Sequence, residues 1–217
     1  MSALDELVEV MARLRGPGGC PWDAEQTHAS LVPYAIEEAH ELAEAVEARE
    51  AGDGDDAHLK EELGDVLLQV VFHADIARAE GRFDVDDVAR TLIEKLRRRH
   101  PHVFADLAVD GVADVVANWD AIKREEKPER GSALDGIPVS LPALARAEKT
   151  MSRAKRAGLP LPEAAAVDAG DDEAALGEAL LALVRSASDR GLDAERALRT
   201  ATRALEQRLR AEEADAT

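Results

Sequence analysis

The sequence predicts an all-α protein built as an antiparallel helical bundle. Ala, Leu, Glu and Arg dominate the 217 residues, and aromatic residues make up only 3%, which favours helices over sheets. Apolar residues recur at spacings of three and four, as is typical of amphipathic helices. The breaks between the helical segments are short, so successive helices are expected to fold back on one another.

The first half of the chain contains five predicted helices. The apolar residues between Leu4 and Leu14 follow the helical spacing, and the Gly and Pro residues of 16-GPGGCPW-22 end this first helix. Pro101 ends a later one, because proline cannot continue the helical hydrogen-bond ladder. The helices after the first are predicted over residues 30–49, 59–79, 85–99 and 112–126.

The second half begins with a stretch rich in Gly, Pro and Ser, which we interpret as a linker or a packed loop. Three weaker helical segments follow it, over about 141–157, 172–190 and 193–213. The predicted organisation is therefore a first domain over 1–127, a linker over 128–142 and a second domain over 143–217.

An internal repeat links the two halves. The stretch 62-ELGDVLLQVV-71 aligns with 175-ALGEALLALV-184, and the apolar positions and the Leu-Gly pair match. The charged residues are not kept. Glu62 aligns with Ala175, Asp65 with Glu178, Lys95 with Ala204 and Arg98 with Gln207. We therefore predict that the second half is a degenerate repeat with a structural or dimerising role.

Composition and charge exclude several classes of function. Lys and Arg total 27 against 45 Asp and Glu, a formal net charge of -18, which opposes binding to nucleic acid. A small polyanion can still bind if divalent cations stand between it and the protein. The single cysteine, Cys20, excludes an internal disulfide and a Cys-rich zinc site. No secretory signal or membrane span is visible, so we expect a soluble cytoplasmic protein.

Two pairs of carboxylates are candidate metal ligands. Glu38 and Glu41 lie one helical turn apart, and Glu62 and Asp65 repeat this spacing on the next helix. A short turn between the two helices would make the pairs converge, and four carboxylates in one pocket repel each other unless cations neutralise them. An all-oxygen ligand set suits Mg²⁺ or Mn²⁺. Gly64, inside a helix, predicts close approach of a neighbouring helix or a ligand.

Basic and aromatic residues are candidate contacts to a nucleotide. A cluster of cations ends the fourth helix, where it could hold phosphates or simply favour the negative end of the helix dipole. Trp119 and Lys123, one turn apart, could supply an aromatic surface and a further positive charge to the nucleotide. The loop before the second helix lacks the ending of a P-loop, and we interpret it as a helix–helix turn. Candidate phosphate contacts are Lys95, Arg98 and Arg99, and candidate base or sugar contacts are Trp22, Asp23 and Gln26.

These motifs together resemble a known family. GCPWDAEQTH at 19–28, EEAHE at 37–41, EELGD at 61–65 and KLRRRHPHVF at 95–104 occur in order, followed by WDAIKREE at 119–126 and SALDGIPVSLPAL at 132–144. The chain resembles the MazG nucleoside triphosphate pyrophosphohydrolases of the all-α NTP pyrophosphatase superfamily. The resemblance covers about residues 1–155 well and the remainder weakly.

The resemblance implies a reaction and roles for the candidate residues. Water would attack the α-phosphorus of a (deoxy)nucleoside triphosphate and release a monophosphate and pyrophosphate, a reaction that cleans the nucleotide pool. Glu38, Glu41, Glu62 and Asp65 would bind Mg²⁺, and Glu37 or Glu61 would orient or deprotonate the water. The family also implies a homodimer in which helices of both subunits form each site. Two-repeat members keep an acidic site in the second repeat, which this chain has lost.

Two other readings of the sequence compete with this one. A di-iron carboxylate bundle requires Glu-x-x-His on two helices. Glu37–His40 is one such pattern, but the next helix has no His three residues after Glu62 or Asp65. A non-catalytic acidic helical adaptor or regulatory protein would explain the charge and the eroded second half. It would not explain why the acidic pairs and the basic cluster of the first half occur together.

Overall fold

The computed structural model describes residues 2–128, 131–159 and 172–215. These residues form ten α-helices and no strand, so the prediction of an all-α fold is confirmed. The helices are α1 (Ala3–Arg15), α2 (Pro21–Glu25), α3 (His28–Ala51), α4 (Asp56–Ala79), α5 (Val85–Arg99), α6 (Pro101–Phe104), α7 (Val112–Glu125), α8 (Ala143–Arg156), α9 (Glu173–Asp189) and α10 (Ala194–Asp215).

Side-chain caps fix where the long helices begin. The Thr27 hydroxyl accepts a hydrogen bond from the Ser30 amide, and the Ser30 hydroxyl accepts one from the Thr27 amide. This reciprocal box satisfies two of the amides that have no partner within the helix. It makes α3 begin at His28, two residues before the predicted start. Gly52, at a φ of 85°, ends α3 in a left-handed conformation that glycine adopts without steric cost.

Two short helices were not predicted. α2 and α6 contain five and four residues, too few for a hydrophobic period to be recognised. Each has proline at its first turn, Pro21 and Pro101, where the fixed φ suits a helix and the missing amide costs nothing. Pro101 therefore ends α5 as expected and starts the next helix.

The chain divides into two compact units, Met1–Asp120 and Ala121–Thr217. In the first, α1 and α3 pack on α4, and the core is formed by Met11, Leu31, Val71, Phe72 and Ile76. α3 and α4 are joined by a short turn after Gly52 and lie side by side. This arrangement brings Glu38 and Glu41 of α3 close to Glu62 of α4.

The second unit is built on α8, α9 and α10, which pack on one another. Among the residues whose burial the structure describes, its buried side chains are small, namely Ala154, Ala179, Ala182 and Val184. Part of the predicted linker is tied to α8, because the Arg153 guanidinium donates hydrogen bonds to the carbonyls of Ala133 and Asp135 at 3.4 and 2.8 Å. Residues 129–130 of that linker lie outside the described residues. The boundaries 1–127, 128–142 and 143–217 stay a prediction.

Of the helices formed by the described residues, none has both the length and the apolar character needed to cross a bilayer.

Candidate metal and nucleotide site

Three carboxylates from α3 and α4 converge. Glu38, Glu41 and Glu62 each present a carboxylate oxygen, and these oxygens all lie within 4.8 Å of one another. Glu38 and Glu41 share one face of α3 because they are one turn apart, and the turn after Gly52 brings α4 alongside. The structure thus brings together three of the four predicted metal ligands.

Glu62 is the most buried member of this cluster. Only 7% of the residue is exposed, and its Oε2 atom has no hydrogen-bond partner among the described residues. Its Oε1 atom lies 3.4 Å from His58 Nδ1. A buried carboxylate oxygen without a partner costs about 1–3 kcal/mol or more. A cation bound between the three carboxylates would remove that cost, so the residues present fit a divalent metal ion.

Asp65, the fourth predicted ligand, lies half-buried on α4 outside this group of three. It nevertheless acts on the same cluster. The pKa of Glu38 is raised, first by partial burial and then by the negative charges of Asp65, Glu41 and Glu62. A raised carboxyl pKa is the electrostatic sign of crowded anions, and a cation placed among them would relieve the repulsion.

Glu37 and Glu61, the candidates for orienting water, precede Glu38 and Glu62 directly in the chain. Both are exposed and neither belongs to the converging group. Their role stays a prediction.

The predicted close approach of a neighbouring helix to Gly64 is wrong for the described residues, and the alternative, approach of a ligand, stays a prediction. A Cβ atom placed on Gly64 would meet no described atom within 4 Å, so no described helix approaches it closely. Gly177, its counterpart in the predicted second repeat, is equally open. Both glycines face unoccupied surface, and close packing within the described chain does not explain either.

The segment between α1 and α3, which includes the short helix α2 and is called the loop below, contains three predicted nucleotide contacts. Trp22 is 51% exposed and meets the Tyr34 ring edge-on, with 5.9 Å between the ring centroids. The Gln26 side chain donates to the Trp22 carbonyl at 2.9 Å and accepts from the Ser30 hydroxyl at 2.8 Å. Asp23 is half-buried. Gln26 therefore helps to shape the loop, while Trp22 leaves much of its ring open for stacking.

The predicted phosphate contacts lie at the end of α5 and around Trp119. The Arg99 guanidinium lies 5.2 Å from the centre of the Trp119 ring, and the His100 ring meets that tryptophan edge-on at 5.0 Å. Lys95 is half-buried and Arg98 is exposed, while Lys123 follows Trp119 by one turn of α7. Trp119 is half-buried and is flanked by a cation and a histidine, so it is not a core residue.

A histidine pair was missed from the sequence. His28 and His73 stack with their ring planes 5° apart, and their Nδ1 atoms lie 2.7 Å apart. Arg82 Nη2 lies 2.6 Å from His28 Nε2. Since the guanidinium can only donate, His28 accepts at Nε2 and donates from Nδ1 to His73. Burial, and then the neighbouring His28, lower the pKa of His73.

Asp75 was missed as well. It is 5% exposed and accepts hydrogen bonds from Arg15 on α1 and Arg78 on its own helix. A detectable signal existed, because one charged residue stands between the apolar Phe72 and Ile76 in the middle of a helix. Charged residues are almost never fully buried unless they are paired.

The family model and the sequence relatives of this chain all indicate the same family. Residues 26–104 match the model of the MazG nucleotide pyrophosphohydrolase domain. A nucleoside triphosphate pyrophosphohydrolase of Escherichia coli strain K12 is 43% identical, over 97% of this chain and 87% of that protein. A Thermotoga maritima protein named nucleoside triphosphate pyrophosphohydrolase/pyrophosphatase MazG is 41% identical, over 95% of this chain and 84% of that protein.

The crystal structure of a MazG-related protein from Thermotoga maritima aligns with 55% of this chain and 98% of that chain, at 26% identity and a TM-score of 0.45. The family assignment rests on the sequence relatives, whose identity extends over almost the whole chain. The protein therefore belongs to the MazG family.

Proposed function

We propose that the protein is a Mg²⁺-dependent nucleoside triphosphate pyrophosphohydrolase that cleans the nucleotide pool. The observation that carries this proposal is the convergence of Glu38, Glu41 and Glu62, with the Oε2 atom of Glu62 buried and unpaired. All three lie within the segment that matches the MazG domain. Relatives that align with most of this chain bear the name of this activity.

The metal site proposed here consists of Glu38, Glu41, Glu62 and Asp65. Their oxygen ligands suit Mg²⁺, with Mn²⁺ as the alternative. A divalent ion held there would neutralise charge on the triphosphate and polarise its phosphoryl oxygens. Through that ion, the four carboxylates would bind the reacting phosphate on the surface shared by α3 and α4.

The chemical step is hydrolysis of one anhydride bond. The oxygen of water forms a bond to the α-phosphorus, and the bond from that phosphorus to the bridging oxygen of the β-phosphate breaks. The bridging oxygen leaves with pyrophosphate, and the nucleoside monophosphate keeps the water oxygen. Glu37 or Glu61 accepts a proton from the water, because each is an exposed carboxylate beside a proposed metal ligand.

The remaining contacts divide between the phosphates and the nucleoside. Lys95, Arg98 and Arg99 bind the outer phosphates, with Lys123 as a further cation. Trp119 and Trp22 offer aromatic surface to the nucleotide, and Asp23 and Gln26 offer hydrogen bonds to the base or sugar. The 51% exposure of Trp22 supports this assignment.

We also propose a homodimer, with the second repeat serving packing and dimerisation. α5 leaves Leu92, Ile93 and Leu96 between 39% and 46% exposed, and the adjoining Val103 and Phe104 are 64% and 60% exposed. Apolar side chains in such numbers on one region suggest an interface. Sedimentation equilibrium tests this proposal: a mass of twice 23.3 kDa is expected, and a monomer at micromolar concentration contradicts it.

Pyrophosphate release tests the reaction. We would incubate the protein with a panel of ribo- and deoxyribonucleoside triphosphates, with and without Mg²⁺, and identify both products. Monophosphate and pyrophosphate that appear only with Mg²⁺ support the proposal. Orthophosphate as the product contradicts the bond assignment, and no turnover with any nucleotide contradicts the enzyme. No observation on the described residues favours the adaptor.

A further inference from the structure

Arg15 joins three parts of the first unit. It is the last residue of α1, and its side chain is only 10% exposed. Its Nε atom donates to Asp75 Oδ2 on α4 at 2.9 Å. Its Nη1 atom donates to the carbonyl of Asp23 at 2.9 Å and reaches that of Gln26 at 3.5 Å. The same guanidinium lies 5.3 Å from the centre of the Phe72 ring.

Asp75 holds this guanidinium in place. Its carboxylate is paired on both oxygens, with Arg15 at Oδ2 and with Arg78 at Oδ1, where Arg78 donates twice at 2.7 and 3.0 Å. Buried ion pairs add little net stability compared with apolar residues of the same size. The pair instead fixes the orientation of the Arg15 side chain. The planar guanidinium holds its donors in a rigid fork, so it can donate to a carboxylate and to a carbonyl at the same time.

The Arg15–Asp75 pair, called the clamp below, acts on the segment that contains the predicted nucleoside contacts. Arg15 grips the carbonyls at positions 23 and 26, immediately beside the exposed Trp22 ring. Asp75 lies on the same helix as Glu62 and Asp65. It follows Asp65 by ten residues, about 15 Å along a helix axis. α4 therefore sets the distance between the acidic cluster and the loop.

We propose that Arg15 and Asp75 are positioning residues, which hold the loop of Trp22, Asp23 and Gln26 at a fixed distance from the carboxylate cluster. The nucleoside of the substrate then meets a preformed surface while its phosphates lie at the metal site. This inference rests on the proposed function for its effect on the substrate. Its effect on the loop is independent of any activity.

The test compares Arg15→Met with Arg78→Met. Both variants remove hydrogen bonds to the same carboxylate, and in each the other arginine still neutralises Asp75. Only Arg15 contacts the loop, whereas Arg78 lies on α4 itself and is half exposed. Arg78→Met is therefore a matched control for the loss of a cation beside Asp75. Arg15→Lys is added as a conservative variant, since it keeps the charge without the fork.

Three measurements decide the proposal. Steady-state kinetics should show KM for the preferred nucleotide raised about tenfold by Arg15→Met, equivalent to about 1.4 kcal/mol, with kcat within about threefold of the wild type. Arg78→Met should leave KM within about twofold, and Arg15→Lys should fall between the two. Hydrogen exchange of peptides covering residues 16–27 should be faster in Arg15→Met than in Arg78→Met. Calorimetric Mn²⁺ binding without nucleotide should be unchanged in both.

Each contrary result has a defined meaning. Equal KM values and equal exchange in Arg15→Met and Arg78→Met overturn the proposal, as does a loss of Mn²⁺ affinity in Arg15→Met alone. If the wild type hydrolyses no nucleotide, the proposed function fails, and exchange alone decides the clamp: unchanged exchange at residues 16–27 overturns it. If Arg15→Met does not fold, the same comparison is made with Arg15→Lys.

Discussion

α4 and α9, the helices that contain the two aligned repeat segments, end in the same way and differ in what they bury. Gly81 and Gly191 follow their last turns with φ of 70° and 69°. In each case the amide after the glycine bonds a carbonyl five residues earlier, at 3.0 and 2.9 Å. These are the features of a helix terminated by a left-handed glycine. The backbone of the helix end is thus alike in both segments.

Their buried residues are unlike. Among the described residues, α4 buries three polar side chains, Glu62, Gln69 and Asp75, whereas α9 buries Ala179, Ala182 and Val184. An apolar pattern is sufficient to pack a helix. A buried charge is costly unless it is paired or bound to a ligand, so its presence in α4 alone indicates a task that α9 lacks. The contrast is consistent with our prediction that the second repeat has lost the site.

The largest effect expected from this contrast is on hydrolysis. Glu62→Gln should lower pyrophosphate release by about 100-fold or more, because it removes the most buried carboxylate of the proposed metal site. Glu178→Gln is the matched control in α9, since Glu178 aligns with Asp65 and is exposed. It should retain activity within about twofold. Comparable losses in both variants would contradict an active site confined to the first repeat.

Metal binding should also distinguish the first repeat from the second. At a Mn²⁺ concentration of about 100 times Kd, ligand binding stabilises by about 2.7 kcal/mol, which raises Tm by roughly 5–10 °C for a chain of this size. Glu38→Gln should abolish this rise, and Glu178→Gln should keep it. The measurement is a thermal melt in Mn²⁺ and in EDTA.

Glu38→Gln has a second consequence in the metal-free protein. The pKa of Glu38 is raised in the folded state, so its ionisation disfavours folding, and stability is lost as pH rises through that pKa. In EDTA at pH 8 the variant should therefore melt slightly above the wild type. A lower Tm would show that repulsion among the carboxylates is not relieved by the substitution.

A smaller effect is expected of pH on the stability of the fold. The pKa of His73 is lowered in the folded state, first by burial and then by His28. The unfolded chain therefore binds more protons below about pH 6.5, and stability is lost as pH falls through that region. His73→Gln should flatten the change in Tm between pH 7.5 and 5.5.

Tryptophan fluorescence suits this experiment, since both tryptophans, Trp22 and Trp119, lie in the first unit. The second unit contains no histidine in its sequence and should not share the effect. An unchanged slope in His73→Gln would assign the pH dependence to other groups.

The smallest effect concerns the two open glycines. Gly64→Ala and Gly177→Ala should each stabilise by about 0.5–1 kcal/mol, because alanine is the better helix former and neither site is crowded. Urea unfolding measures both. Destabilisation or loss of activity in Gly64→Ala alone would indicate that a second subunit or a ligand approaches α4 at that point.

Much of this protein could be predicted from short-range patterns. The long helices follow from apolar spacing, and the i, i+3 acidic pairs place Glu38 beside Glu41 whatever the rest of the chain does. The sequence motifs were sufficient to predict the family. The short helices α2 and α6 were missed because four or five residues contain no period. For Gly64 the expected neighbouring helix is not found among the described residues, because a helical glycine by itself does not say which neighbour, if any, approaches it.

Tertiary structure decided the rest. Asp75 bonds Arg15 across sixty residues, His28 meets His73 across forty-five, and Glu62 becomes buried only when α3 lies against α4. No local rule yields these contacts. Helix formation depends on groups three or four residues apart, whereas the environment of a buried charge depends on which faces of distant helices pack together. The sequence determined the helices and the family, and the packing of α1 and α3 on α4 determined which charges were brought together.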